Sequence, residues 1–575
     1  MKVLTAAQMR EADARTAAEF NTPSMTLMEN AGAAAAHFAT SRYGAEAAGR
    51  AVFLCGKGNN GGDGLVAARH IKEKISGANP VVLLFAPASM LKGDAAANLA
   101  RWQKVGGTLR IVPDVTAWQK ERAALGAAPL VVDALLGTGL SGPVEGLLRA
   151  VIEYVNAACP AARVLALDIP SGMSSDSGDS PGPCVRAGAT LALAAPKIGM
   201  LLPPNCNSVG KLAVAGIGIP PALLDENPAL KLNWVTPADF AALPLEREAS
   251  SHKGTYGHAL ILAGSRGKAG AAALAGFGAL RAGAGLSTVA TPNSCLDTVA
   301  SFFPELMTEP LPETDAQTIS MRSFDYGRLD GLLEGKSVVA LGPGISTHPE
   351  TQEFVHTLLR DCSLPIILDA DGLNAYTRRL AQFRSRRWAN LALTPHPGEL
   401  ARLLGRSTAE VQGHRLELAL EAAASANALV ILKGYRTILA APDGRAWFHG
   451  TGNPGMATGG TGDVLTGILA GLTAQFGVED WPRVLSLGIF LHGLAGDRAA
   501  EEQGQEGMTA SDLLRHLGPA FARLKQDVRA PQTASAAPQA ATPASATQPG
   551  SKPAVANGPG AKAANPGPTQ SRTRT

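Results

Sequence analysis

A chain of 575 residues, 46% of them hydrophobic and 64 of them glycine, is too long for one hydrophobic core, so two or more domains are expected. The net charge is only +3 and no dense Lys/Arg block occurs, which argues against nucleic-acid binding. Cys55, Cys159, Cys184, Cys206, Cys295 and Cys362 are scattered without a CxxC pair, the pattern of free thiols in a reducing compartment.

The first stretch, MKVLTAAQMREADARTAAEF, carries charges where a signal peptide needs an apolar core. No uncharged apolar run reaches the ~18 residues of a membrane span. A cytoplasmic protein with no membrane partner is expected. Apolar strands then appear at 51–55, 80–86, 130–136 and 163–169, separated by Ala-rich or amphipathic segments. This alternation is that of a parallel α/β sheet.

In such sheets ligands bind beyond the carboxyl ends of strands. Three loops leave these strands there: GKGNNGGDG (56–64), GTGLSGP (137–143) and DIPSGM (168–173). The first places Gly56, Gly58 and Gly61 in GxGxxG spacing ahead of a helix beginning DGLVAARHIKE, so its amides could face a phosphate. The acid that a dehydrogenase carries about 20 residues on is missing, because VVLLFAP is wholly apolar. Asp63 also reads as a helix cap. Asn59 and Asn60 beside glycines suit a ligand or a hard cation. With Asp133 and Ser171 they form an oxygen-only set that suits a weakly charged ion. Asp168 could take a proton near a reacting carbon or cap the following turn. The residues alone do not decide which of Asp168, Asp133 and Asp63 moves protons.

MENAG (28–32), GKGNNGGDG, VVDALLGTGLSG and LDIPSG, in this order, resemble the NAD(P)HX epimerase family, the YjeF N-terminal domain, over nearly all of 1–220. The resemblance implies a Rossmann-like three-layer domain that interconverts R and S epimers of hydrated nicotinamide dinucleotides. It implies K+ held by Asn60, Asp133 and Ser171. It also implies substrate contacts from Asn59, Asn60, Gly61, Gly62 and Asp63, and from Asp168, the catalytic candidate. The remaining implied contacts are Gly137, Thr138, Gly139, Leu140, Ser141, Gly142 and Pro143.

A break near 218–250, with a double proline in GIGIPPALLDENPAL, separates a second unit over about 228–525. Its strands are expected at 258–264, 286–291, 337–342, 365–370, 391–394 and 428–434. NPGMATGGTGDVLTG (453–467) reads as a glycine loop ending at a helix that starts near Asp463. Successive amides there form an anion nest strengthened by the helix dipole. A carboxylate beside it can take a proton from an attacking hydroxyl, although Asp463 could also be a plain cap. Lys433 and Arg436 in ILKGYRT could meet nucleotide phosphates, and LGPGI (341–345) is a further glycine loop. TPHPGE (394–399) joins His396, fixed outward between prolines, to Glu399, which could hold Mg2+ through water.

GTGD, LDADGLN and TPHPGE resemble the ribokinase-like superfamily, and SHKGTYGHALILAGS with NPGMATGGTGDVLTG is similar to its ADP-dependent NAD(P)HX dehydratase branch over most of 250–520. His396 stands where the superfamily's kinases carry Asn. The resemblance implies a ribokinase-like three-layer α/β domain that phosphorylates the hydroxyl of the S hydrate with ADP and expels phosphate. The expected products are NAD(P)H, AMP and phosphate, with Asp463 as base. It implies nucleotide contacts from Lys433, Gly434, Tyr435, Arg436, Thr437 and Gly462. Ala271, Gly344, His396 and Asp463 are the implied substrate contacts.

From about Asp527 to Thr575 the chain is nearly all Ala, Pro, Gln, Thr, Ser and Gly, and a disordered tail is expected. The sequence thus predicts a bifunctional repair enzyme acting on NADHX and NADPHX with ADP, expected to be a homo-oligomer. The alternative is a small-molecule kinase fused to a Rossmann-like binding or scaffold domain.

Overall fold

Residues 1–529, except Ser141, Trp388 and Ala389, are described by the computed structural model. Seven short apolar strands form the first sheet: β1 (Val52–Cys55), β2 (Val81–Leu84), β3 (Thr108–Ile111), β4 (Val131–Ala134), β5 (Val164–Leu167), β6 (Ala189–Leu193) and β7 (Lys211–Ala215). All neighbours are parallel, in the order β3-β2-β1-β4-β5-β6-β7. Parallel sheets are covered on both faces and so need near-continuous apolar strands. β1, β4, β5 and β6 are buried along their whole length.

The chain leaves β1 toward β2 and then returns to β4 on its other side. The loops after β1 and β4 therefore diverge and open a crevice between them, the topological switch point at which such sheets bind ligands. They begin in close contact: the Gly56 amide donates to the Ala134 carbonyl at 3.0 Å. A Cβ at Gly56 would overlap the Leu135 carbonyl oxygen, so only glycine fits.

The second sheet has ten strands: β8 (Leu232–Trp234), β9 (His258–Leu262), β10 (Leu286–Pro292), β11 (Met307–Leu311), β12 (Val338–Leu341), β13 (Ile366–Leu368), β14 (Leu391–Leu393), β15 (Leu429–Leu432), β16 (Ile438–Ala440) and β17 (Ala446–Phe448). Their order is β11-β10-β9-β12-β13-β14-β15-β16-β17-β8, parallel from β11 to β15 and antiparallel across β16. Again the order reverses, between β9 and β12, and the loops after β12 to β15 gather at one end of the sheet.

The two sheets are joined by more than the linker. The first residues of the chain reach β8: Trp234 donates to the Met1 carbonyl at 2.8 Å and Val3 to Leu232 at 3.0 Å. One buried apolar cluster runs from Ile169, Met173, Met200 and Leu201 to Leu432, Ile438 and Phe448. At the other end of the chain, the helix Ala510–Arg529 extends through Asp527, where the tail was expected to begin. The rest of that segment, 530–575, lies outside the described residues. Among the described residues, no helix is long and apolar enough to cross a membrane.

Two helices against the second sheet, Ala269–Arg281 and Thr461–Phe476, pack almost backbone to backbone. A Cβ at Gly467 or Gly471 would overlap the carbonyl oxygens of Ala275 or Ala279. These glycines fix how closely the two helices approach one another. Gly467→Val is expected to cost about 1–3 kcal/mol or more through overpacking, read as a lower midpoint in urea. An unchanged midpoint would contradict this packing.

Candidate functional site

In the first domain the crevice opens into a cavity of about 1010 Å³. Asn59, Asn60 and Asp63 line it from one side, Gly137, Thr138, Gly139 and Leu140 from another, and Asp168 from a third. Gly61 and Gly62 lie beneath this wall. A Cβ on Gly61 would overlap the Gly56 carbonyl, and one on Gly62 would come within 2.7 Å of the Met28 thioether. Gly142 and Pro143 do not line the cavity, and Ser141 is outside the described residues.

The helix Asn59–Lys74 begins four residues earlier than the sequence suggested, with Gly58 before it. Asn59 to Gly62 are its first turn, and Asp63 lies inside the helix instead of capping it. The MENAG stretch explains how this turn is held. It lies in the helix Ser24–Tyr43, where Gly32 lets Val66 pack against the backbone and Asn30 donates to the Ile217 carbonyl at 2.9 Å.

Asn60, Asp133 and Ser171 meet at Leu136. Asn60 Nδ2 donates to the Leu136 carbonyl at 2.9 Å, and the Leu136 amide donates to Ser171 Oγ at 2.8 Å. Asp133, fully buried, accepts from the Ser171 amide at 2.8 Å and from its hydroxyl at 2.5 Å. Burial pushes its pKa up to about 6, against these hydrogen bonds and one from Leu135. Asn60 Oδ1 is buried without a hydrogen-bond partner. One carboxylate, neutral oxygens and an orphaned carbonyl fit a weakly charged hard cation.

Asp168 follows β5 with a left-handed backbone, φ 63°, rare for a non-glycine and frequent at functional sites. Its carboxylate pairs with Lys197 Nζ, which also donates to the Leu193 carbonyl at 3.0 Å. The Lys197 side chain is fully buried. Sequence reading missed this lysine, although a Lys beside proline in the apolar run ALAAPKIGM was a usable signal.

In the second domain, Lys433 lies just after β15 and meets Asp369 Oδ1 at 2.7 Å. Thr466 Oγ1 donates to Asp369 Oδ2, also at 2.7 Å, and Glu399 Oε2 is 3.8 Å from Lys433 Nζ. Burial opposes charge on both groups. The Lys433 ammonium nevertheless holds the Asp369 carboxyl below its ordinary value, and Asp369 with Glu399 raises Lys433. Asp369, in LDADGLN, was another unassigned residue whose signal was an acid ending an apolar strand.

The helix Thr461–Phe476 aims its start at this pair. Gly460 precedes it at φ 91° with no side-chain cap, so the first amides are left for a ligand. The turn itself is fixed from behind, since His492 Nε2 and the Thr461 carbonyl are 2.9 Å apart and Asp497 binds Gly452 and Asn453. Gly462 faces Lys433: a Cβ there would be 3.5 Å from Nζ. Asp463 is the third helical residue, two later than the helix start, and not its cap. Burial first, then Asp369 and Asp371, push its pKa up to about 6 against Lys433.

Around this centre, Gly344 takes φ 65°, and a Cβ on it would stand 3.3 Å from that of Ala271. Lys268 and Ser346 N both reach Asp371, at 3.0 and 2.9 Å. His396 caps the helix Pro397–Leu404: its Nδ1 accepts from Gly398 N at 3.0 Å, while Glu399 Oε2 accepts from His396 N at 2.7 Å. His396 stays half-exposed, while Glu399, which could hold Mg2+ through water, is buried and caps the same helix beside Lys433. Gly434 takes φ 127°, Thr437 Oγ1 donates to its carbonyl at 2.9 Å, and Tyr435 is exposed. The Arg436 guanidinium, which could meet nucleotide phosphate, lies 4.8 Å from the Trp234 ring and 5.0 Å from Tyr435, with its Nε buried and without a hydrogen-bond partner.

Comparison with known proteins gives this geometry a family. Residues 259–518 match the family model described as NAD(P)H-hydrate dehydratase, and 24–199 that described as YjeF-related protein N-terminus. A bifunctional NAD(P)H-hydrate repair enzyme of Moorella thermoacetica is 43% identical over 92% of this chain and 98% of its own. That of Thermofilum pendens is 41% identical over 92% and 97%. A crystal structure of ADP/ATP-dependent NAD(P)H-hydrate dehydratase from Bacillus subtilis, co-crystallised with ATP/Mg2+, is 34% identical, covers 51% of this chain and 98% of that one, and has a TM-score of 0.45. With a relative this similar along almost the whole of both chains, the protein belongs to the family of bifunctional NAD(P)H-hydrate repair enzymes.

Proposed function

We propose that the first domain interconverts the R and S hydrates of NADH and NADPH, and that the second dehydrates the S form with ADP, giving NAD(P)H, AMP and phosphate. The observation that carries this reading is the uncapped helix start at 460–463, set beside a carboxylate of raised pKa and a buried ammonium. Free amides and the helix dipole favour a phosphoryl group there. Asp463 takes the proton of the attacking hydroxyl. Transfer to that oxygen turns a poor leaving group into phosphate; the C–O bond then breaks with its electrons leaving on phosphate, and loss of a proton from the adjacent ring carbon to solvent restores the ring double bond.

Tyr435, Arg436 and Trp234 form a cationic-aromatic face suited to a nucleotide base. Magnesium brought by the nucleotide would neutralise phosphate charge, held by phosphate oxygens and water. Glu399 keeps Lys433 and His396 in place. In the first domain, Asn60, Asp133 and Ser171 would hold K+, which would supply fixed positive charge beneath the substrate loops. Asp168 is the proton acceptor for epimerisation.

Incubating the full chain with hydrated NADH and ADP should restore NADH absorbance. A kinase for some other alcohol would leave the hydrate untouched. Asp463→Asn should abolish dehydration, by at least about 100-fold as expected for loss of a general base, while leaving interconversion of the epimers intact. Equal loss of both activities would contradict the assignment.

The pH dependence has a definite sign. Asp463 works ionised, so dehydration should rise through about pH 6 and level off above it. Because its folded pKa is raised, ionising it costs folding stability as pH climbs from the usual carboxylate range through about 6. Asp463→Asn should therefore raise Tm more at pH 7.5 than at pH 4. For the cation, replacing KCl by choline chloride at constant ionic strength should slow epimerisation without slowing dehydration. Equal epimerisation rates in the two salts would remove K+ from the account.

A further inference from the structure

The proton chemistry of the first domain is incomplete with Asp168 alone, and the cavity holds a carboxylate that neither sequence motif nor family comparison brings forward. Asp13 lies on the helix Ala6–Phe20 and lines the same cavity as Asn59, Asp63 and Asp168. Its Oδ1 is buried with no hydrogen-bond partner. A carboxyl oxygen left bare in a built cavity is costly unless something else satisfies it.

The charged groups that face Asp13 are few. Asp168 and Lys197 follow β5 and β6, and Asp63 comes from the helix Asn59–Lys74. Arg10 stands one turn away on its own helix, and Lys57, Asp94 and Glu145 line other parts of the cavity. Burial, then Asp168, raise the pKa of Asp13 to about 6 against Lys197. Asp168, by contrast, is tied to the buried Lys197 ammonium. A third carboxyl, Asp63, is held neutral by deeper burial within its helix, with Asp168 and Asp13 adding to the shift. Within the cavity Asp168 thus stands beside a cation and Asp13 is largely stripped of partners. Such pairs divide acid and base roles between them.

We propose that Asp13 is a second catalytic residue of the epimerase site, the acid partner of Asp168, with Lys197 as the positioning residue that keeps Asp168 in place. This deepens the epimerase reading and rests on it. In a hydrated nicotinamide the carbon bearing the hydroxyl is also bonded to the ring nitrogen. Asp168 takes the hydroxyl proton, the carbon–oxygen bond becomes a carbonyl, and the carbon–nitrogen bond breaks with its electron pair moving to nitrogen. Asp13 delivers its proton to that nitrogen. Rotation of the freed aldehyde and reversal of both transfers closes the ring on the other face. One proton leaves and one arrives, so no oxidant, reductant or further reactant is needed.

The test uses the full chain and pure R hydrate of NADH, following R-to-S conversion by chromatography from pH 5 to 9. The unaltered enzyme should accelerate it over the spontaneous rate and lose kcat on the alkaline side, as Asp13 loses its proton. Asp13→Asn should lower kcat at least about 100-fold with little change in KM and erase that alkaline limb. Asp13→Glu should recover part of the rate. Dehydration of S hydrate by the same preparations reports folding and should be unchanged in both variants. Conversion by Asp13→Asn within threefold of the unaltered enzyme, or a loss confined to KM, overturns the role of Asp13 alone. If Asp13→Asn does not fold, the unaltered enzyme still decides: a rate flat from pH 5 to 9 overturns the proposal. No acceleration by the unaltered enzyme overturns the epimerase reading and this proposal together.

Discussion

Lys433 and Asp369 form an ion pair almost removed from water, and the second domain's site depends on it. A lone charge at either position would carry a desolvation cost of several kcal/mol. Each is tolerable because the other is 2.7 Å away and because Thr466 occupies the second carboxylate oxygen. Three strand ends and one helix are bound together in this way: β13 supplies Asp369, β14 leads into Glu399, β15 into Lys433, and the helix Thr461–Phe476 supplies Thr466. The pair therefore sets the distance from the sheet to the helix start, where the free amides are. It also supplies opposing fields at Asp463, where burial and the Asp369 charge outweigh the ammonium and leave a carboxylate with proton affinity near neutral pH.

The first domain uses the same arrangement with different residues. Lys197 after β6 binds Asp168 after β5, at the carboxyl end of another parallel sheet whose order reverses nearby. In both domains an ammonium on one strand-end loop fixes a carboxylate on another, and a second carboxylate stands close by with its pKa raised. The parallel sheet brings this about because every strand ends at the same edge, so loops far apart in sequence converge. Tandem fusion then places two steps on one damaged cofactor in a single chain. The hydrogen bonds of residues 1–4 to β8 and to Pro196 after β6, with the shared apolar cluster, make the two domains one packed body.

Much of this was legible in the sequence. The strands that sequence reading named are buried parallel strands, and continuous apolar runs such as AVFLC and ALVILKG leave little choice of element. Strands β7 (KLAVA) and β6 of the first sheet went unnamed, although ATLAL in β6 is an apolar run buried along its whole length. The other unnamed strands are β3 and β11, edge strands with half or more of their residues exposed, and β8, β16 and β17, of only three residues each. Glycine loops at strand ends also marked backbone that other residues resist, a close approach at Gly56 and a positive φ at Gly460. What sequence reading did not reach were partners. Lys197 lies 29 residues from Asp168 and Asp369 lies 64 from Lys433, separations that only the crossover connections close. Asp13 was hidden differently, because one acid in ADAR on an amphipathic helix reads as a solvated face until the helix is seen to roof a cavity. The aromatic neighbour of Arg436 was equally out of reach, because Trp234 comes from β8, about 200 residues earlier in the chain.

The proposed dehydration depends on the amides opening the helix at 459–463 receiving the phosphate that moves. A crystal structure with a non-hydrolysable ADP analogue is the decisive measurement. The terminal phosphorus is expected within hydrogen-bonding reach of those amides, with the Asp463 carboxylate beside it and the base near Tyr435 and Trp234. A terminal phosphate bound elsewhere, with these amides facing only solvent, would contradict it.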